Sequence, residues 1–265
     1  MTSPILIVVQ ARMESARLPG KVLLPLCGQP MLFWLLSRLS TLPYPLVVAV
    51  PDTLQNATLV GVVERHGYTP HIISGDPDDV LGRFAKVAML YPDAEHIVRI
   101  GGDTPLLDPA VIAELIALHL RGHDYTGLSA EWGDGLADSE VFTRHALLEA
   151  HEQAEAPHER EHVSPYIFTC PQTYQLAHLP CPFDLSHMRV SVDTKEDFFY
   201  VQMLLERCLL KYGFGFGWRE VWWLTQQDAM LQEYMAKRPM NGAYVEQVGW
   251  GKSWDELRYQ GGHTT

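Results

Sequence analysis

The apolar run Ile5-Leu6-Ile7-Val8-Val9 constrains this chain more than any other segment. It has no polar alternation, so both of its faces must be buried, and a strand buried on both faces belongs in a parallel sheet. A loop with three cations within ten residues follows at once: Gln10-Ala11-Arg12-Met13-Glu14-Ser15-Ala16-Arg17-Leu18-Pro19-Gly20-Lys21. Open α/β sheets bind ligands at the carboxyl ends of their strands. Forked arginine donors and a lysine point charge suit a polyphosphate. The alternative is a merely solvated charged loop, which the placement after a buried strand disfavours.

The rest of the chain extends that pattern. Strands are expected at Ile5–Val9, Leu46–Val50, His71–Ile73, Ile97–Ile100 and Asp124–Gly127. Helices are expected at Met31–Leu39, Asn56–His66, Val80–Tyr91, Pro109–Leu120 and Arg144–Glu155. Asp108 and Pro109 give a helix cap and first turn. Two extended pieces, Thr173–Leu179 and Arg189–Val192, come next. Thr194 and Asp197 form a reciprocal cap for a helix reaching Tyr212, with Gly213 as its stop. Alternating strands and helices predict an α/β fold: a three-layer, mostly parallel, Rossmann-like sheet. The expected division is an α/β sheet domain over 1–212 and a Trp-rich helical extension over 213–265. That extension holds five of the seven tryptophans, among them Trp250 and Trp254. They pack a terminal helix onto the sheet, or serve as a dimer contact or a lid. Pro239-Met240-Asn241-Gly242 reads as a loop, and residues 259–265 as a fraying end.

A formal net charge of −12 argues against coating nucleic acid. Up to Arg38, however, the charged residues are Arg12, Arg17, Lys21 and Arg38 against Glu14 alone. A basic pocket in an acidic protein suits a small anion. Cys27, Cys170, Cys181 and Cys208 form no C-x-x-C pair, and no apolar run is long enough to span a bilayer. The expectation is a cytoplasmic protein with reduced thiols and no membrane segment. His66, His119 and His123 fall at helix ends, where a cation meets the negative end of the dipole.

Gly101-Gly102-Asp103-Thr104-Pro105 follows the strand Ile97–Ile100. Its paired glycines permit close backbone approach to a ligand. A carboxylate at that strand end can hold Mg²⁺ beside phosphate oxygens, or it can simply cap a turn. Asp193 ends the piece Arg189–Val192. If that piece lies beside the one ending at Gly101, the two acids converge and fit metal-assisted phosphoryl or nucleotidyl transfer.

These segments together resemble the cytidylyltransferases that activate acidic sugars, and most of all the SpsF-like branch of that superfamily; CMP-KDO synthetases are similar. Residues 8–32 match an opening of the form A-R-x-x-S-x-R-L-P-x-K, with Ala16 where the family often has Thr. Ser74-Gly75 with Asp79-Val80-Leu81-Gly82-Arg83 matches G-x-x-D-V-L-x-R. Gly102–Leu107 matches G-D-x-P-L-L. Gly135–Phe142 is similar to G-L-D-x-E-V-F, with Ala137 interrupting the spacing. Glu161-His162-Val163 and Val192–Asp197 match E-H-V and V-D-T-x-E-D. The matches run in family order over residues 1 to about 205.

The resemblance makes 1–212 a nucleotidyltransferase domain with a nucleotide-diphospho-sugar transferase (GT-A-type) sheet, and implies cytidylyl transfer from CTP to a small anionic sugar-like acceptor, for surface polysaccharide or glycoconjugate synthesis, by a homodimer. It implies that Arg12, Arg17 and Lys21 hold the triphosphate, helped by the loop backbone at Gln10 and Ala11. Arg12, Lys21 and Asp103 then carry the chemistry. Ser74 and Arg83 belong to the nucleotide pocket, Asp103 and Asp193 coordinate Mg²⁺, and Glu140, His162 and Tyr166 meet the acceptor. A nucleotide-sugar-dependent glycosyltransferase of the same architecture is the alternative, although Asp103 lacks the D-x-D partner that would favour it. His158-Glu159-Arg160-Glu161-His162 also fits H-E-x-x-H, a zinc hydrolase pattern with Glu159 as base. Pro157 and Pro165 leave that segment room for barely two helical turns, and Arg160 and Glu161 give it a solvated character.

Overall fold

The computed structural model describes residues 4–236. Residues 237–265 lie outside it, and with them Trp250, Trp254, the expected loop at Pro239–Gly242 and the end at 259–265. In chain order the elements are β1 (Ile5–Gln10), β2 (Pro25–Leu26), β3 (Gln29–Pro30), α1 (Met31–Leu39), β4 (Leu46–Pro51), α2 (Ala57–Arg65), β5 (Thr69–Ile73), α3 (Val80–Leu90), β6 (His96–Gly101) and α4 (Pro109–His119). Then follow β7 (Tyr125–Leu128), β8 (Ser139–Thr143), α5 (Arg144–Gln153), α6 (Pro157–His162), α7 (Pro165–Thr169), β9 (Leu176–Leu179), α8 (Lys195–Tyr212), α9 (Trp218–Gln227) and α10 (Ala229–Ala236).

Seven strands form one sheet in the order β5-β4-β1-β6-β8-β7-β9. β5, β4, β1 and β6 are parallel, β8 runs antiparallel to β6, and β7 and β9 are parallel to each other. β1 is fully buried up to Val9, as its unbroken apolar run requires. Ile5, Ile7 and Val9 face one apolar core with α1, α4, α8 and α9, while Leu6 and Val8 face a second with α3 and α5. The sheet is therefore covered on both sides.

The chain steps from β1 outward to β4 and β5, then returns to the other side of β1 as β6. That reversal opens a crevice beyond the carboxyl ends of β1 and β6. Gly102 sits in it. A Cβ there would lie 2.7 Å from the Gln10 carbonyl oxygen and 3.2 Å from Ala11 Cβ. Glycine is required here so that two strand exits can approach each other, rather than so that a ligand can approach the backbone.

Two expectations change. Arg189–Val192 is not a ladder strand. Its backbone pairing is a lone bridge to Asp134, with the Val190 N–H on the Asp134 carbonyl (2.7 Å), and one bond from the Val192 N–H to the Asp103 carbonyl, 2.9 Å. The Val192 bond alone still brings Asp193 beside Asp103. His119 is no dipole-capping cation either. It is buried, shares hydrogens with His96 (3.1 Å) and Thr126 (3.1 Å), and burial, with His96 and His123 beside it, pushes its pKa down to about 3.

The helices after Gly213 join the core of the sheet domain. Trp218, Val221, Leu224 and Leu231 pack into the same apolar cluster as β1. Asp108 fastens the junction: one carboxylate oxygen caps α4 through Ala110 N (2.9 Å) and the other accepts from Trp218 N (2.9 Å). Arg38 adds bonds to the carbonyls of Leu107 (2.8 Å) and Phe216 (3.0 Å). Trp223 stays exposed. Among the described residues no helix is long and apolar enough to cross a membrane.

Candidate active site

A cavity of about 420 Å³ occupies the crevice. Gln10, Ala11, Arg12, Ser15, Ala16, Arg17, Lys21 and Val22 form one wall; Gly101, Gly102, Asp103 and Asp193 form the floor; Glu161 and His162 form the far wall.

Lys21 is the centre of this site. The left-handed turn at Gly20 (φ 73°) reverses the loop and starts a short 3-10 turn at Lys21. The Lys21 side chain is nearly buried. Its Nζ donates to Asp103 Oδ2 (2.9 Å), to Asp193 Oδ1 (3.0 Å) and to the Val192 carbonyl (2.6 Å). Burial alone would lower the Lys21 pKa, but the two carboxylates outweigh it and hold it above the ordinary lysine value. For Asp103, burial would raise the carboxyl, and the Lys21 ammonium overrides that and holds it below the usual range.

Asp193 is positioned from a second side. Arg17 lies 2.9 Å from its Oδ2 and Arg189 3.1 Å from the same atom. Arg189 also bonds Asp197 (3.1 Å), whose carboxylate accepts from the backbone N–H of both Asp193 and Thr194 (2.9 Å each). The capping box of α8 thus immobilises the turn that carries Asp193. Sequence reasoning did not single out Arg189, because a lone arginine six residues before a helix carries no local signal.

Arg12 is more open. It pairs with Asp78 (2.7 Å) and donates to the Pro77 carbonyl (3.2 Å). Arg83 donates to that same carbonyl and to Gln10 Oε1 (3.3 Å), so it lies just behind the cavity wall. Ser74 lies further out, with its hydroxyl on Asp52 (2.9 Å) and its carbonyl on Lys86 (2.6 Å).

The three residues expected at the acceptor separate. His162 lines the cavity. Glu140 is buried beside it on β8, with Oε2 on Arg99 (2.5 Å) and Oε1 on the Tyr125 hydroxyl (2.7 Å), both oxygens already engaged. Tyr166 sits on α7, near Cys170 and Glu149, off the cavity lining. The segment Arg160-Glu161 is not a solvated face. Glu161 lines the cavity and Arg160 forms a bidentate pair with Asp79 (2.9 and 2.6 Å). The hydrolase pattern finds no support in this geometry. Glu159 caps its own helix, accepting from Ala156 N (3.0 Å) and Glu155 N (3.2 Å). Among the described residues no group of three His, Cys, Asp or Glu side chains is arranged to hold a metal.

The cytidylyltransferase family model matches residues 6–233, the sheet and both walls of the cavity included. The chain belongs to the cytidylyltransferase family. This cytidylyltransferase is 33% identical to the spore coat polysaccharide biosynthesis protein SpsF of Bacillus subtilis over 214 residues, covering 77% of this chain and 87% of that protein. A shorter match, 31% identity over 44% of this chain and 48% of the relative, is to a 3-deoxy-manno-octulosonate cytidylyltransferase of Synechococcus elongatus. Among solved structures, a cytidylyltransferase from Leptospira borgpetersenii superposes with a TM-score of 0.78 at 24% identity, over 89% of this chain and 98% of the other. CMP:2-keto-3-deoxy-manno-octonic acid synthetase in complex with CTP superposes at 0.61 with 18% identity, over 77% of this chain and 99% of the other. At these identities the superpositions establish the common fold.

Proposed function

We propose that this cytidylyltransferase transfers the cytidylyl group of CTP to an acidic sugar or related anionic acceptor, with release of pyrophosphate, in surface polysaccharide or glycoconjugate synthesis. The observation that carries the reading is the single crevice in which Arg12, Arg17 and Lys21 face Asp103 and Asp193. Arg12 and Arg17 are partly open, and the present partner of Arg12, Asp78, is a solvent-exposed carboxylate. A pair of that kind is worth little, so phosphate oxygens can replace it at small cost. The loop backbone lies on the same wall, but its Ala11 and Met13 N–H groups already donate to the Ala49 carbonyl (3.1 Å) and to Asn56 (2.9 Å), so the cationic side chains are the main donors to a triphosphate.

Two carboxylates converging on one ammonium are a donor set that fits Mg²⁺, which takes one or two protein carboxylates and completes its shell with phosphate oxygens and water. Asp103 and Asp193 would hold it, and when bound it would neutralise charge on the transferring phosphate. The protein's own part is to bring two anions together. An acceptor oxygen attacks the α-phosphorus, the bond to pyrophosphate breaks, and the fixed cations offset the repulsion between the reactants. The wall formed by Glu161 and His162 remains for the acceptor.

Thermal shift with CTP, UTP, ATP and GTP in the presence of Mg²⁺ tests the nucleotide. CTP should stabilise most; equal stabilisation by all four removes the cytidylyl specificity, and stabilisation by none removes the nucleotide. Pyrophosphate release across a panel of acidic sugars that includes 3-deoxy-manno-octulosonate then identifies the acceptor.

A further inference from the structure

The far wall of the cavity is held in an unusual way. α6 has six residues, and none of its side chains is fully buried. Apolar packing therefore does not fix the helix that presents Glu161 and His162. Immediately after His162 the backbone enters a γ-turn: Val163 has φ 73° and ψ −57°, and the Ser164 N–H donates back to the His162 carbonyl at 2.9 Å. A β-branched residue rarely adopts positive φ, and such strain persists only where the surroundings impose it. Val163 is completely buried, which anchors the turn from below.

Arg160 anchors it from above. Its guanidinium grips both oxygens of Asp79 and donates to the His151 carbonyl at 2.7 Å. Asp79 is the N-cap of α3, accepting from Gly82 N at 2.9 Å. It is also the last residue of a short hub. Pro77 and Asp78 hold Arg12, Pro77 holds Arg83, and Asp79 holds Arg160. Three consecutive residues thus tie the cationic wall of the cavity to the wall that carries His162.

We propose that Arg160 is a positioning residue, which by gripping Asp79 sets the Glu161–His162 wall at a fixed distance and orientation from the triphosphate wall, so that the acceptor oxygen is aligned on the α-phosphorus. The inference rests on the proposed cytidylyl transfer. It gives a role to an arginine that is not on the cavity lining. A bidentate pair suits the task because its two parallel bonds fix orientation as well as distance. Misplacement of a reacting group by about 1 Å costs on the order of 10²-fold in rate.

The test uses the full-length protein with Arg160→Gln and Arg160→Lys. Lysine keeps the charge and loses the fork, and serves also if the glutamine variant does not fold. The position of His162 is read from the pH titration of its ring protons by NMR, assigned by their loss in His162→Gln. Glu161 and His158 on α6, Arg99 on β6 and Glu140 on β8 face that ring, and burial holds its pKa below the ordinary 6.5. Releasing the wall should move the His162 midpoint up toward 6.5, fully in the glutamine variant and partly in the lysine variant, while CTP with Mg²⁺ stabilises both as it does the wild type. With the acceptor found above, kcat/KM for that acceptor should fall about 10²-fold and the CTP dependence stay within threefold. An unchanged His162 midpoint in a folded Arg160→Gln protein overturns the positioning role. So does a loss of CTP binding in the variants alone. Failure of CTP to bind the wild type would instead remove the underlying function.

Discussion

Lys21→Met removes the ammonium at the centre of the site and keeps most of its apolar stem. Three bonds go at once, two to carboxylates and one to the Val192 carbonyl. Breaking a fully buried ion pair by deleting one partner costs about 3–5 kcal/mol. Here Lys21 is 9% exposed in its side chain while Asp103 and Asp193 are 36% and 24% exposed, so water takes up part of the uncompensated charge. Discounted for that screening, the expected loss is about 2 kcal/mol. In a chain of this size that corresponds to roughly 4–8 °C in Tm.

The effect on the reaction should be larger than the effect on the fold. Loss of one fixed electrostatic stabiliser costs on the order of 10²–10³ in rate. Pyrophosphate release at saturating CTP should therefore fall by that factor while thermal unfolding remains cooperative. The pH dependence follows from the directions of the shifts. Asp103 is held below 3.8 in the folded state, so its contribution is present above pH 3.8 and is lost as pH falls through the depressed value. Lys21 is held above 10.5, so its contribution is present below pH 10.5 and is lost as pH rises through the raised value. The stability gap between wild type and variant should stay constant between about pH 5 and 9 and narrow outside it. A near-normal rate, or a gap that changes through neutral pH, would refute the reasoning.

Other perturbations read other parts of the molecule. Gly102→Ala should lower stability by about 1–3 kcal/mol in chemical denaturation, since its Cβ meets a backbone oxygen at 2.7 Å that cannot move aside without parting β1 from β6. Thr194→Ala removes the side-chain acceptor for the Asp197 N–H (3.2 Å) and should cost about 1 kcal/mol in chemical denaturation; if Asp193 holds Mg²⁺ as proposed, the apparent Mg²⁺ affinity should weaken as well. His119→Gln should flatten the acid limb of the stability profile. The wild-type imidazole stays neutral to about pH 3 when folded and protonates near 6.5 when unfolded. Wild-type stability should therefore lose about 1.4 kcal/mol per pH unit more than the variant's as pH falls below 6.5.

Local regularities were legible because their causes are local. The α1 range Met31–Leu39, the Thr194–Asp197 cap and the stop at Gly213 follow from periodicity and capping chemistry within a few residues. β8 is not legible as a strand in the sequence. It is short, and it is buried by an antiparallel pairing with β6 that no neighbouring residue signals. Arg189–Val192 shows the opposite failure: it has strand-like residues, yet no neighbour pairs with it as a ladder.

By itself the sequence determined the double-faced burial of β1, the cationic loop behind it and the acids at the ends of two segments, because each is a matter of residue type and immediate context. Only the tertiary structure decided which charges meet. Lys21 lies 82 residues from Asp103 and 172 from Asp193, and Arg160 lies 81 from Asp79. Charge interactions fall off with distance in space and carry no trace along the chain. The reversal of strand order at β1, which no single segment encodes, turns those separate charges into one site.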